Sequence, residues 1–213
     1  MEAGQAVYST RTLKFYDLFV LGISNRWIWK CPTHYLREHF ARHATSNHLD
    51  VGVGTGYFLD KVKFKESNPR IGLLDLNRNC LDVAAKRIER YQPTIFQADL
   101  FQPLEIDCEP FQSISINYVL HCLPGNFESK SIVFKHLKPW IATGGVIFGS
   151  TILHPEVPRG VMARQLMKVY NQKGIFSNTE DSLTRLHQAL DDHFSDVKIE
   201  TKGCVALFSA KVN

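Results

Sequence analysis

The residues best suited to chemistry lie in a glycine-rich loop, Asp50-x-Gly52-x-Gly54-x-Gly56. The loop follows the apolar segment HLDVGV and precedes FLDKVKF, so we expect it to join a strand to a helix. Glycines are required where backbone approaches a ligand or takes a positive φ. The first amides of a helix also attract negative or electron-rich groups. The loop therefore predicts a phosphate, a dinucleotide or a sulfonium nucleoside as ligand.

The spacing of the loop and of two later carboxylates narrows this choice. No lysine follows Gly56, as a P-loop would require, and the dinucleotide fingerprint needs glycine where this chain has Tyr57. The second predicted strand, RIGLLDL, contains Asp75, and the third, TIFQAD, ends at Asp99. Carboxylates can accept hydrogen bonds from ribose hydroxyls and an adenine amine, but without cations beside them they disfavour a pyrophosphate. A ligand that carries a sulfonium and an ammonium fits this setting better.

The segment DVGVGTG (50–56), with the two later aspartates, resembles the motifs of the class I S-adenosylmethionine-dependent methyltransferases. Segments along nearly the whole chain, among them VLHCLPG, YNQKGIFSNTED and GCVALFSAK, are similar to small stand-alone bacterial and fungal members of that class. The resemblance implies S-adenosylmethionine as methyl donor, S-adenosylhomocysteine as product and a small-molecule acceptor.

The resemblance also implies a role for each motif residue. The glycine loop holds the methionine part and its leading aspartate organises the loop. The acidic residues after the second and third strands, each with the leucine that follows, hold the ribose and the adenine. An asparagine after the fourth strand contacts the amino group or the methyl region, and a tyrosine of KFYDLF closes over the cofactor, unless it is only a packed aromatic. These cofactor-binding residues are Tyr16, Asp50, Gly52, Gly54, Gly56, Asp75, Leu76, Asp99, Leu100 and Asn117.

The acceptor side offers weaker candidates. His121 follows the fourth strand beside the expected methyl group, and its ordinary pKa near neutrality would suit a general base. The alternative is a structural histidine, because alignment of the reactants alone can supply several kcal/mol. Aromatic residues of the N-terminal segment and of a later insert could wall an apolar pocket, although core packing accounts for most of them. The candidates for acceptor binding are Trp27, Tyr118 and Phe176.

Histidine and cysteine spacing predicts no metal site. His39 and His43 are four residues apart on a predicted helix, a spacing that can bind zinc, but no third ligand accompanies them. We therefore expect both on an exposed helix face. The five cysteines are widely spaced without a C-x-x-C pair, which predicts free thiols in a reducing compartment.

The order of elements predicts an α/β fold of the Rossmann-like class I methyltransferase type. Strands alternate with helices from residue 48, which indicates a mostly parallel sheet covered on both faces. We expect seven strands, with the last antiparallel. Gly22 and Pro32 should interrupt the helices of an N-terminal cap, and Ser177 with Glu180 should form a capping box in a helical insert. The single domain 1–213 would comprise a cap (1–46), a cofactor-binding core (47–153), the insert (154–194) and a final strand hairpin (195–213).

Composition excludes several classes of function. The chain has 213 residues, 44% of them hydrophobic, and a net charge of +4 without a basic run, so we expect no nucleic-acid partner. The segment Asn117–Leu120 also lacks the prolines of the D/N-P-P-Y/F loop used on base amines. The N-terminus has no apolar signal region and no apolar run reaches membrane length, which predicts a cytoplasmic protein without a membrane partner.

The leading hypothesis is an enzyme that transfers a methyl group to O or N of a small molecule by in-line displacement, in specialised metabolism. A cofactor-binding protein that does not methylate, acting as a regulator or partner subunit, is an alternative, because a fold does not imply a function. A protein methyltransferase is a second alternative. An NAD-dependent dehydrogenase is disfavoured by Tyr57.

Overall fold

A computed structural model describes residues 17–213 of the chain. It contains a seven-stranded sheet with the order β3-β2-β1-β4-β5-β7-β6. Strands β1 to β5 pair in parallel, and β7 is antiparallel to both β5 and β6. The predicted fold class is thereby confirmed. The strands are β1 (Asn47–Val51), β2 (Arg70–Asp75), β3 (Thr94–Gln97), β4 (Phe111–Asn117), β5 (Ile141–Ile152), β6 (Ser195–Lys202) and β7 (Val205–Lys211).

Helices cover both faces of this sheet. A π-helix, Asp17–Ile28, precedes α1, and short 3₁₀ turns follow several elements. The helical segment between β4 and β5 is divided at Ser131 into two short helices. The α-helices are α1 (Thr33–His43), α2 (Tyr57–Lys61), α3 (Arg78–Arg87), α4 (Phe127–Lys130), α5 (Ile132–Leu137), α6 (Val161–Gln172) and α7 (Leu183–Asp191).

The core lies on the two faces of the sheet because neighbouring residues of each strand point to opposite sides. Leu73 packs with α1, α2 and α3, whereas Leu74 packs with α4, α5 and α7. Ile147 and Phe148 divide in the same way. Both faces of the central strands are apolar, as expected for buried parallel strands. The carboxyl edge of the sheet is therefore the place where polar residues can reach a ligand.

The N-terminal helix corrects one expectation. Pro32 precedes the first residue of α1, as predicted, but Gly22 lies inside the π-helix and does not end it. A glycine within a helix costs only about 1 kcal/mol. Burial of Leu21, Ser24 and Asn25 on the inner face of the same helix can offset that cost.

The insert also differs from the expected capping pattern. The N-cap of α7 is Ser182, whose hydroxyl accepts a hydrogen bond from the Arg185 amide at 3.1 Å. Ser177 lies outside the helix and its hydroxyl donates to the Gly125 carbonyl at 3.2 Å. The predicted capping box of Ser177 and Glu180 is therefore wrong, because the helix begins one turn later than the sequence pattern suggested.

The histidines and cysteines complete the description. His39 is buried, not exposed as expected, because its Nε2 pairs with the Phe208 carbonyl at 2.9 Å on β7. His43 donates from Nδ1 to the His39 carbonyl at 3.0 Å. All five cysteines lie within residues 17–213 and none forms a disulfide, as predicted. None of the helices in this range is long and apolar enough to cross a membrane.

Candidate active site

The glycine loop follows β1 at the carboxyl edge of the sheet. The Gly52 amide donates to the Leu74 carbonyl of β2 at 2.8 Å. Gly52 and Gly54 have φ of +69° and +52°, in the left-handed region that favours glycine. A Cβ on Gly52 would collide with the side chain of Val119, whereas a Cβ on Gly54 would meet no atom of residues 17–213 within 4 Å. Gly54 therefore leaves open space in which a ligand can approach the backbone.

Gly56 performs a different task from the other two glycines. A Cβ on Gly56 would lie 3.1 Å from Cα of Ala84, so its absence allows α3 to pack closely against the loop. In the dinucleotide fingerprint that packing role belongs to the position after it, which is Tyr57 here. Gly56 also has a φ of +71° and directly precedes α2, so it serves both the turn of the loop and the packing of α3.

Asp50 lies buried directly before the loop. Its carboxylate accepts a hydrogen bond from the hydroxyl of Ser115, its register partner on β4. Burial raises the pKa of Asp50 to about 7; the Ser115 hydrogen bond lowers it and the charge of Asp75 raises it further. Asp50 is thus a buried carboxyl group directly before the loop, held by β4 and with a pKa far above its ordinary value.

A polar chain between β1 and β4 supports this carboxylate. His48 contacts the Ser115 hydroxyl through Nε2 at 3.0 Å and the Ser113 hydroxyl through Nδ1 at 2.8 Å. Because Ser115 donates its proton to Asp50, it must accept from His48 Nε2, and Nδ1 must accept from Ser113. Burial lowers the pKa of His48 to about 3, so the ring is neutral. His48, Ser113 and Ser115 are not among the residues predicted from the sequence. The signal for them is the occurrence of polar residues at alternate positions of otherwise apolar strands.

Asp75 ends β2 beside the glycine loop. Its Oδ1 accepts from the Asn77 amide at 2.9 Å. Burial raises the pKa of Asp75, while hydrogen bonds from the backbone amides of Asn77, Gly54 and Val53 act in the opposite direction. Leu76 is half-buried, and its carbonyl accepts from Gln97 at 3.1 Å. The structure thus brings the Asp75 carboxylate to the loop, where a ribose could lie.

Asp99 and Leu100 follow β3 at the same edge. Asp99 is half-buried and accepts from the Phe101 amide at 2.9 Å. Leu100 is buried, and its carbonyl accepts from His136 Nδ1 at 2.9 Å. A carboxylate and an apolar side chain are therefore held in adjacent positions.

Asn117, the last residue of β4, has an unused hydrogen-bond donor. Its Oδ1 accepts from the Ser150 hydroxyl at 2.9 Å, which fixes the orientation of the amide. Its Nδ2 is buried and has no hydrogen-bond partner among the described residues. A buried donor without a partner is costly and rare. Asn117 therefore indicates that an acceptor group of a ligand belongs at this position.

Tyr118 turns the chain away from the sheet. Its φ of +57° is unusual for a residue with a side chain. Its amide donates to the Ser150 carbonyl and its hydroxyl donates to Asn25 Oδ1, both at 2.8 Å. The second bond fastens the N-terminal π-helix to the edge of the sheet.

His121 is buried in an aromatic environment. Its Nδ1 lies 3.3 Å from the amide nitrogen of Ile152. A backbone amide can only donate, so Nδ1 is an acceptor and the ring proton is on Nε2. Burial, with a smaller contribution from the charge of Lys130, lowers the pKa of His121 to about 3. This geometry favours a neutral histidine that donates from Nε2 over a general base.

Phe176 of the insert packs against His121. The two rings are 4.6 Å apart at 79°, and Tyr170 and Trp29 lie 5.0 Å and 6.0 Å from Phe176. We call this largely buried cluster, which packs within the core and begins directly after Asn117, the aromatic wall; its members are Trp29, Tyr118, His121, Tyr170 and Phe176.

Two residues predicted from the sequence, Trp27 and Tyr16, are not part of the aromatic wall. Trp27 is 58% exposed, with the side chains of Arg26 and Lys30 over its ring. Trp29, two residues on, is the tryptophan that contacts Phe176. Tyr16 lies outside the described residues.

Known proteins resemble the chain over most of its length. Residues 49–147 match the family model described as a methyltransferase domain. The chain is 36% identical over 207 residues to demethylluteothin O-methyltransferase of Streptomyces thioluteus, covering 97% of this chain and 90% of that protein. It is 39% identical over 226 residues to methyltransferase verB of Penicillium polonicum, covering 99% of each. Among solved structures, the DhpI–SAH complex superposes with a TM-score of 0.67 at 16% identity, covering 100% of this chain and 96% of that one.

The features of the carboxyl edge fit the donor that this family uses. At Gly54 a ligand has room to approach the protein backbone, and Asp75 offers a carboxylate beside the loop. The buried Nδ2 of Asn117 has no hydrogen-bond acceptor among the described residues. Fold, motif and similarity to relatives agree. The chain belongs to the S-adenosylmethionine-dependent methyltransferases.

Proposed function

We propose that this enzyme methylates a hydroxyl oxygen, or less readily a nitrogen, of a small apolar acceptor in specialised metabolism. The observation that carries the proposal is the aromatic wall that adjoins Asn117. Such a wall suits a flat apolar molecule. The name of the Streptomyces relative, an O-methyltransferase, supports oxygen as the methylated atom. Neither a regulator without activity nor a protein methyltransferase is favoured by a specific observation.

The donor side follows from the chemistry of the residues. The S-adenosylmethionine supplies an electrophilic methyl group on a positively charged sulfur. We propose that Asp75, with Leu76, binds the ribose hydroxyls and that Asp99, with Leu100, binds the adenine. The glycine loop and the Asn117 Nδ2 would hold the methionine part, and Asp50 would fix the loop. For Tyr16, closure over the cofactor stays a prediction.

On the acceptor side, Tyr118 and Phe176 would orient the acceptor and exclude water. His121 would donate a hydrogen bond from Nε2 to the acceptor oxygen, because its Nδ1 lone pair is engaged by Ile152. The hydroxyl proton would be released to solvent before the transfer, so that the acceptor binds as an oxyanion, and a neutral donor of this kind would hold that oxyanion without acting as a base. The oxyanion would then form the new C–O bond as the methyl–sulfur bond breaks, with S-adenosylhomocysteine as the leaving group. Trp27 would contribute only at the exposed rim.

The setting of the enzyme is a further part of the proposal. A net charge of +4 without a basic run supports a small molecule over a nucleic acid as partner. Free thiols at all five cysteines support a cytoplasmic location.

Methyl transfer from labelled donor to defined acceptors tests the proposal. The purified enzyme is incubated with radiolabelled S-adenosylmethionine and a panel of aromatic hydroxy compounds, their amino counterparts, and demethylluteothin, for which the Streptomyces relative is named. We expect label in organic-soluble product from at least one hydroxy compound and less from its amino counterpart. Label only in protein, or no label although the donor binds, would contradict the proposal.

A further inference from the structure

Lys130 and Asp181 form an ion pair that is shielded from solvent. Nζ of Lys130 lies 2.6 Å from Oδ2 of Asp181, and both side chains are 0% exposed. Lys130 ends α4 in the core, whereas Asp181 lies in the insert just before α7. Burial lowers the pKa of Lys130 and raises that of Asp181 to about 6, while the charge of each partner opposes the shift of the other.

The same ammonium group also holds the backbone of the insert. Lys130 Nζ donates to the Ser177 carbonyl at 2.7 Å. The Ser177 amide in turn donates to the His121 carbonyl at 2.8 Å. Asn178 Nδ2 donates to the carbonyl of Ile152, the residue whose amide engages the His121 ring, at 2.9 Å. Ser177 to Asp181 are thus fixed to the core from several sides.

The residue directly before this anchored segment is Phe176, whose ring packs on His121. Any displacement of Ser177 would move Phe176 away from the ring that it covers. Asp181 Oδ1 has no hydrogen-bond partner among the described residues, so the carboxylate depends on Lys130. The position of Phe176 in the aromatic wall is therefore coupled to the ion pair of Lys130 and Asp181.

A buried ion pair is a poor source of stability. Replacing such a pair with apolar residues of similar volume is often neutral or stabilising, because desolvation of the charges offsets their attraction. What the apolar pair cannot replace here is the hydrogen bond from Lys130 to the Ser177 carbonyl. We therefore infer that the ion pair serves to fix the position of Ser177.

We propose that Lys130 and Asp181 are positioning residues for the acceptor, because they hold Phe176 against His121 so that the acceptor wall is formed before binding. The proposal rests on the proposed function for its acceptor. It makes the part of the insert between α6 and α7 (173–182) a fixed wall, in contrast to a lid that closes on the substrate.

The test compares two double variants with the wild-type enzyme. Lys130→Met with Asp181→Val removes both buried charges. Glu180→Val with Arg185→Met is the matched control, because it removes a neighbouring ion pair of 2.8 Å whose side chains are 61% and 49% exposed. The measurements are the thermal midpoint, the calorimetric Kd for S-adenosylhomocysteine, amide hydrogen exchange of 173–182, and KM and kcat for the best acceptor of the panel.

In the buried-pair variant we expect the thermal midpoint and the Kd for S-adenosylhomocysteine to be unchanged. Exchange in 173–182 and KM for the acceptor should both rise about tenfold, the effect of losing the one buried hydrogen bond that holds Ser177. The exposed-pair control should resemble the wild type. Wild-type exchange and KM in the buried-pair variant would overturn the proposal, as would a parallel loss of S-adenosylhomocysteine affinity.

Two further outcomes remain decisive. If the buried-pair variant does not fold, Lys130→Gln with Asp181→Asn replaces it. This variant keeps polar groups, but the Gln side chain is shorter than Lys and should not reach the Ser177 carbonyl in the same way. Unchanged exchange of 173–182 in this variant would overturn the proposal. If no acceptor is methylated, the proposed function fails by itself. Exchange of 173–182 and affinity for S-adenosylhomocysteine then still decide whether the pair positions the insert.

Discussion

The hydroxyl of Ser115 donates a hydrogen bond to the carboxylate of Asp50, its register partner on the neighbouring parallel strand. This bond and the glycine loop that follows Asp50 connect the interior of the sheet to the donor site. Because the carboxylate is buried without a cation, its protonation state is linked to folding.

This linkage predicts the pH dependence of stability. The folded pKa of Asp50, about 7, lies above the ordinary value of 3.8. The stabilisation by the neutral carboxyl is therefore complete below pH 3.8 and is lost as the pH rises through 7. Relative to Asp50→Asn, the wild-type protein should lose about 2 to 4 kcal/mol of unfolding free energy between pH 5 and pH 8. Urea unfolding of both proteins across this range measures the difference. The control Asp82→Asn keeps Asp50 and should therefore follow the wild-type trend. A difference between the wild type and Asp50→Asn that does not change with pH would contradict the prediction.

Two of the three loop glycines, Gly52 and Gly54, should have different effects when they are replaced by alanine. In Gly54→Ala the new Cβ meets no atom of residues 17–213, so stability should fall by only about 1 kcal/mol through the left-handed backbone. The methyl group would, however, occupy the space of the donor, and affinity for S-adenosylhomocysteine should fall at least about tenfold. Gly52→Ala should mainly reduce stability, because its Cβ collides with Val119. Thermal denaturation and calorimetry separate the two effects, and unchanged affinity in Gly54→Ala would contradict the assignment of the loop.

His121 should influence activity without titrating near neutral pH. Because its pKa is lowered to about 3, kcat should show no inflection from this residue between pH 6 and pH 8. His121→Gln keeps a donor and should retain more activity than His121→Phe, for which we expect a loss of about 3- to 10-fold, the effect of one neutral hydrogen bond. Steady-state kinetics from pH 6 to pH 9 decide the role. An inflection near pH 6.5 that disappears in His121→Gln would identify a general base instead.

The two aromatic candidates should differ in their effect on the acceptor. Phe176 is 6% exposed and contacts His121, whereas Trp27 is 58% exposed. Phe176→Leu keeps apolar volume but removes the flat wall, so acceptor KM should rise about 3- to 10-fold, in line with the value of one aromatic contact. Trp27→Leu should leave KM within about twofold, as expected for a surface site. A larger effect at Trp27 would show that the acceptor lies against the π-helix.

The sequence sufficed to predict the sheet and the edge of the sheet that the candidate residues share. Asp50, Asp75 and Asn117 each lie at the carboxyl end of a predicted strand, and in a parallel sheet those ends share one edge. The relation among them follows from local pattern and topology alone. The strand hairpin near Gly203 was predictable for the same reason, since β-patterned segments flank a glycine turn.

Features that depend on tertiary partners could not be predicted. Lys130 and Asp181 are 51 residues apart in sequence, and each reads as an ordinary surface charge until the insert folds onto α4. Trp27 and Trp29 are also alike in sequence context, yet Trp27 lies exposed in the last turn of the π-helix, whereas Trp29 lies just beyond its end and packs in the core. His39 appeared exposed because its partner, the Phe208 carbonyl, lies on the last strand.

We expect the loop around Gly54 and Asp75 to bind S-adenosylmethionine. Isothermal titration of S-adenosylhomocysteine into the wild-type protein, Asp75→Ala and the matched surface variant Asp82→Ala tests it most directly. The account predicts binding to the wild type and to Asp82→Ala, and a loss of about 10- to 100-fold in Asp75→Ala, the effect of losing charge-assisted hydrogen bonds. Equal affinity in Asp75→Ala and the wild type, or no binding to any of the three proteins, would contradict it.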